Sequence, residues 1–97
     1  MGVVLEHEAE QEMIEAAQYY EDQQKGLGLD LLDEVDIAIA AIGRDPLRHG
    51  FYDRPIRSVA LDRFPYRLLF AVESDRVFVV AVMHLHRRPG YWKHRLS

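Results

Sequence analysis

Apolar residues recur along the chain first with a helical period and then with a strand period, and the change falls near Pro46. From His7 to Gln24, Ala9, Met13, Ala16, Ala17 and Tyr20 return every three or four residues. Glu8, Glu12, Glu15 and Asp22 fall mainly between them, which predicts an amphipathic helix with one face on a core. Lys25-Gly26-Leu27-Gly28 ends that helix, supplying a cation for its negative end and a glycine able to adopt the left-handed cap conformation. Leu32, Val35, Ile39 and Ile42 repeat the spacing, Leu31 and Ala38 broaden the stripe, and Asp30, Asp33 and Glu34 suit the positive end of a second helix. Gly43 and then Asp45-Pro46 close it, because proline disfavours a helical residue before it. Helices joined by so short a link lie as an antiparallel hairpin.

The remaining segments read as strands. Val3-Val4-Leu5 makes a short first strand. After a polar loop from Leu47 to Pro55, Ile56 to Leu61 has strand-like content, and Asp62-Arg63-Phe64-Pro65 is a turn. Tyr66 to Val72 is rich in aromatic and branched residues, Glu73-Ser74-Asp75 turns the chain, and Arg76 to His84 follows. That last segment holds the most apolar run, Val77 to Met83, too short for a membrane and typical of a central strand covered on both faces. The predicted class is α+β in the order β-α-α-β-β-β, a helical hairpin on a twisted antiparallel sheet. Residues 1–97 contain no repeat, low-complexity block or long linker and read as a single domain.

Composition narrows the chemistry. The chain has no cysteine, which excludes disulfides, thiolate metal sites and thiol nucleophiles. Its N-terminal residues have neither a basic segment nor an apolar core long enough for a signal peptide or a span, so a cytoplasmic protein without membrane attachment is expected. The formal net charge of −4 argues against a general nucleic-acid coat. Its distribution is uneven: residues 1–45 hold 12 Asp and Glu against 2 Lys and Arg, and residues 46–97 hold 4 against 10, about −10 and +6. Such polarity suits a polyanionic target or an acidic partner, or else the two halves neutralise each other across the fold.

The segment His84 to Arg95 gathers seven basic or histidine side chains around Tyr91 and Trp92. His84 and His86, two apart at a strand end, have a spacing that a metal uses, but no third ligand of suitable spacing follows. Neither metal nor cofactor is expected. The glycine-aromatic signature of a single-stranded RNA platform is missing as well.

Several pieces, taken in order, resemble the RelE/ParE superfamily of type II toxins, also called plasmid stabilisation proteins. They are Ala17-x-Tyr19-Tyr20-Glu21, Gly26-Leu27-Gly28, Leu32 with Glu34 and Val35, Arg44-x-Pro46, Phe64-Pro65-Tyr66-Arg67, and Val82-x-His84-x-His86-Arg87-Arg88-Pro89 with Trp92. The resemblance covers nearly the whole chain. It implies the hairpin-on-sheet fold, a cognate antitoxin whose flexible segment wraps the toxin in a hetero-oligomer, and inhibition of bacterial growth.

Two modes of action follow from that resemblance. RelE-like members cleave mRNA on the ribosome by driving the RNA 2′-hydroxyl onto its own phosphate, which needs cations at the charged transition state and groups that move protons. Arg67 stands at the position of a catalytic arginine of those nucleases and Arg87 near a second, with His84 or His86 as proton carriers; the constellation required is Arg67, His86, Arg87 and Tyr91. The lysines of the preceding strand are absent, since Ile56 to Leu61 offers only Arg57. ParE-like members inhibit DNA gyrase by binding, with no catalytic set. The double tyrosine, Gly-Leu-Gly and His-x-Arg-Arg pieces are closer to this branch, with Arg87, Arg88, Trp92, Lys93 and Arg95 as target contacts. Structural alternatives stand beside each: Arg67 paired to a helix carboxylate, Tyr19 and Tyr20 packing helix on sheet, Trp92 closing the core. A third reading is an interaction module without toxicity.

Overall fold

The computed structural model describes residues 1–96. The chain runs β1 (Gly2–Leu5), α1 (His7–Gln23), α2 (Leu27–Arg44), β2 (Phe51–Asp53), β3 (Ile56–Ala60), β4 (Tyr66–Val72) and β5 (Arg76–His84), with single 3-10 turns at Pro46–Arg48 and Lys93–Leu96. The α+β class and the helical hairpin agree with the sequence pattern, and two features of the sheet differ from it. The sheet is five-stranded and mixed, in the order β1-β5-β4-β3-β2. β1 pairs with β5 in parallel, Gly2 opposite Arg76 and Leu5 opposite Val79. Parallel neighbours require a crossover, and here the connection from β1 to β5 runs through the helical hairpin and then β2, β3 and β4. Residues 51–53, read from sequence as loop, form the edge strand β2. All three are exposed, so no alternation of apolar and polar residues marked them.

The hairpin is closed by Glu21. Its carboxylate accepts the backbone N–H groups of Gly26 (3.1 and 3.0 Å) and Gly28 (3.1 Å), satisfying donors that the first turn of α2 leaves open. Gly26 precedes α2 at φ 91°, a conformation that glycine adopts without steric cost. Gly28 is buried inside α2, where a Cβ would lie 2.5 Å from the Ala17 carbonyl oxygen of α1. The Gly-Leu-Gly piece therefore turns the chain at its first glycine and lets the two helices touch at its second.

The hairpin covers one face of the sheet. Ala9, Ala16, Leu31, Val35, Ala38 and Ile42 meet Leu68, Phe70, Val77, Val79 and Val82 in the main core. The other face is covered by the chain's own C-terminal segment, where Tyr91 and Trp92 pack on Ile56, Leu69, Val80, Ala81 and Met83. β5 serves both cores, and a bulge changes which of its residues face each one. Leu69 pairs with Ala81 while Phe70 pairs with Val79, so Val80 is an extra residue on β5. Side chains on either side of it change phase. Val77 and Val79 face the helices, Val80 and Ala81 both face the C-terminal segment, and Val82 faces the helices again.

Candidate functional site

β1 covers β5 only as far as Val79, which leaves an open edge beyond it. Two side chains occupy that edge in place of a strand. Glu12 of α1 accepts the Val82 N–H at 3.1 Å, and Arg95 donates to the Val80 carbonyl at 3.0 Å. The two are also paired to each other, Arg95 Nη1 to Glu12 Oε1 at 2.8 Å and Nη2 to Oε2 at 3.2 Å. Tyr91 completes the cluster by donating its hydroxyl to Glu12 Oε2 at 2.6 Å. Burial, with the hydrogen bond to Glu12 second, pushes the Tyr91 phenol far above its ordinary pKa. The hydrogen bond to Glu12 likewise raises that of Arg95.

Above this cluster, α1 and the end of β5 enclose a cleft of about 200 Å³ lined by Glu12, Glu15, Ala16, Tyr19, Tyr66, Val82, His84, Arg87 and Tyr91. Rings dominate its walls. Tyr66 lies opposite His84 in the sheet, with ring centroids 5.0 Å apart, and the Arg87 guanidinium sits 4.0 Å from the centre of the Tyr91 ring. Burial raises the Tyr66 pKa, so the walls present neutral phenols beside the cationic Arg87. The cleft can hold a partner's side chain by stacking and by hydrogen bonds to hydroxyl and carboxylate groups.

The proposed nuclease constellation is only partly gathered. Arg87 and Tyr91 meet at the cleft. His86 lies just outside, exposed, with its N–H on His84 Nδ1 at 3.0 Å and its ring 5.2 Å from that of His84. Arg67 lies elsewhere. In β4 it alternates with Leu68, which faces the helices, so it points to the opposite face, where it donates to the Ser58 hydroxyl at 3.2 Å. That face is filled beside it by Tyr91 and Trp92. Arg67 makes no ion pair with a helix carboxylate among the described residues.

The expected target contacts divide in the same way. Arg87, Arg88 and Lys93 are exposed, and Lys93 pairs with Asp53 at 2.9 Å. Trp92 is 1% exposed and Arg95 is half-buried on Glu12, so these two hold the C-terminal segment to the body of the protein. The role of Glu12 was readable in part: it stands three residues after Ala9 and four before Ala16, on the buried stripe of α1 rather than beside it.

A second surface lies on the outer side of the hairpin. Met13, Ile14, Ala17, Leu29 and Leu32, together with Gln18, Glu21 and Gly28, line a shallow groove of about 470 Å³. Ile14 is 55% and Leu29 65% exposed there. Among the described residues no helix is long and apolar enough to cross a membrane, and no group of three His, Asp or Glu side chains is placed to hold a metal.

No family model and no curated protein sequence matches the chain. A solved structure does match: a chain described as the chromosomal ParDE TA system from P. aeruginosa superposes with a TM-score of 0.78 at 11% identity, over 89% of this chain and 97% of that one. The fold is that of a ParDE chain. At such identity the likeness reaches backbone layout and not individual side chains. Nearly the whole length of the ParDE chain is nonetheless accounted for, so the helical hairpin and the sheet described above are shared as a unit.

Proposed function

We propose that the chain is the toxin half of a type II toxin-antitoxin pair, of the ParE-like kind, and that it arrests growth by binding DNA gyrase rather than by cutting RNA. The observation that carries the choice between binding and cutting is the separation of Arg67 from Arg87 and Tyr91. A phosphoryl-transfer site needs its cations around one phosphate, and here Arg67, hydrogen-bonded to Ser58, is not among the residues lining the cleft where Arg87 and Tyr91 meet. Binding needs no such convergence. Arg87 and Arg88 are exposed beside an aromatic cleft, the combination that makes strong interface anchors.

The fold shared with a ParDE chain supports the toxin-antitoxin reading, and the apolar hairpin groove supports a protein partner. We assign that groove to the cognate antitoxin, in a cytoplasmic hetero-oligomer that keeps the toxin silent. The test is expression of the chain without antitoxin in a bacterial host, following growth, plasmid supercoiling and transcript integrity together. The expected result is arrest with relaxed or cleaved plasmid and intact transcripts, relieved by Arg87→Ala with Arg88→Ala and retained in Arg67→Ala. Transcripts cut within codons while supercoiling stays normal would return the chain to the mRNA-cleaving class. Undisturbed growth would mark it as an interaction module without toxicity.

A further inference from the structure

The sheet edge remote from β1 carries a cationic strip. The Phe51 ring contacts two guanidiniums, with Arg57 Cζ 3.9 Å and Arg54 Cζ 4.2 Å from its centre. Arg57 is held in place by hydrogen bonds from Nη1 to the carbonyls of His49 (2.6 Å) and Leu47 (3.2 Å). Next to it, Arg44 and Arg48 line a cleft of about 380 Å³ with Ala41, Asp45 and His49. Among the described residues none of Arg44, Arg48, Arg54 and Arg57 is ion-paired. Asp53, the carboxylate of β2, is engaged by Lys93. The neutralisation between halves of the chain that pairs Arg63 with Glu34 and Arg95 with Glu12 does not reach this edge.

We propose that this edge binds single-stranded nucleic acid along its phosphate backbone. Arg57 spends Nη1 on two carbonyls, whereas the Arg54 guanidinium over the same ring has its N–H groups available, and guanidinium N–H edges match phosphate oxygens. Tyr52, 45% exposed on the same strand with its ring edge-on to that of Trp92 at 6.5 Å, is an exposed ring against which a base can stack. Addition of an acidic peptide as an extra strand fits less well. β2 is three residues long and its pairing is irregular, so it presents few aligned backbone groups. A duplex asks for a broad cationic face, whereas this strip follows one strand edge.

The experiment is fluorescence anisotropy of the intact chain with a labelled single strand of about 15 nucleotides, titrated between about 50 and 200 mM salt. The wild-type chain binds and loses affinity with salt. Arg48→Ala with Arg54→Ala lowers affinity about tenfold or more and flattens the log–log salt slope by about 1.4, the loss of two phosphate contacts. Thermal melting of the variant stays close to the wild-type value, because among the described residues neither side chain is hydrogen-bonded or ion-paired and Arg54 gives up only its contact with the exposed Phe51 ring. Arg57 is left intact for the opposite reason. Arg87→Ala with Arg88→Ala, at the other end of the sheet, leaves the anisotropy curve in place. The proposal is overturned by an unaltered curve for the Arg48/Arg54 variant, by no binding at low salt, by equal affinity for the matching duplex, or by equally potent displacement with polyglutamate.

Discussion

Arg95 and Glu12 face each other in a bidentate pair 83 residues apart in sequence, and between them they stand in for a missing neighbour of β5. Glu12 binds four partners: the Val82 N–H, the Tyr91 hydroxyl and two nitrogens of Arg95. Its removal leaves the half-buried Arg95 with only the Val80 carbonyl and Glu8 as polar partners among the described residues, and the Val82 N–H and the Tyr91 hydroxyl without their acceptor. Glu12→Ala is expected to lower the unfolding free energy by about 2–4 kcal/mol. Urea denaturation measures it, and a loss under about 0.5 kcal/mol, typical of an exposed ion pair, would show that the cluster contributes no more than a surface contact.

Gly28 sets how closely the two helices approach. A methyl group there meets the Ala17 carbonyl at 2.5 Å and the Glu21 side chain at 3.0 Å, so the hairpin must open to admit it. Gly28→Ala should destabilise by about 1–3 kcal/mol, although alanine is the better helix former. A melting temperature equal to or above that of the wild type would contradict the contact.

Glu34 links α2 to the turn before β4. It accepts the backbone N–H groups of Asp62 (2.8 Å) and Arg63 (3.0 Å) and pairs with the Arg63 side chain at 2.8 Å. Burial alone would raise its pKa, but these hydrogen bonds outweigh it and hold the carboxyl below the usual glutamate range. A folded-state pKa below the unfolded one means that the contribution is complete above about pH 5 and fades as pH falls through about 4. The stability gap between the wild type and Glu34→Gln should therefore narrow on acidification. A gap that is constant from about pH 7 to pH 3 would exclude the linkage.

Tyr91 has the opposite dependence. Its folded-state pKa is raised by burial and by donation to Glu12, so its contribution is present below about pH 10 and lost as pH rises further. Phenolate absorbance during alkaline titration should show the Tyr91 signal only together with unfolding. Tyr91→Phe, which keeps the ring and removes the donor, should cost about 1–2 kcal/mol near neutral pH and less above about pH 11.

Local pattern revealed most of the elements. The stripe Leu31, Val35, Ala38 and Ile42 marks the buried face of α2, and the run Val77 to Met83 marks a strand covered on both sides. Strand pairing was less legible, because the parallel register of β1 on β5 depends on which edge remains open after the meander has formed. β2 carries no periodic signal, since each of its residues meets solvent. At the candidate site, composition singled out the right segment but not the direction of its side chains. One basic tail supplies both the exposed Arg87 and Arg88 and the half-buried Arg95, and only the position of Glu12 beneath it separates them.

The parallel register of β1 also sets a schedule. Gly2 cannot find Arg76, nor Leu5 find Val79, until both distant partners have emerged from the ribosome, and Glu12 waits longer still for Arg95. Contacts of such long range form late, after hairpin and meander have closed through their shorter loops. A nascent chain arrested short of β5 has neither a closed sheet edge nor the cleft beside it. Whatever this surface binds, it meets only finished molecules.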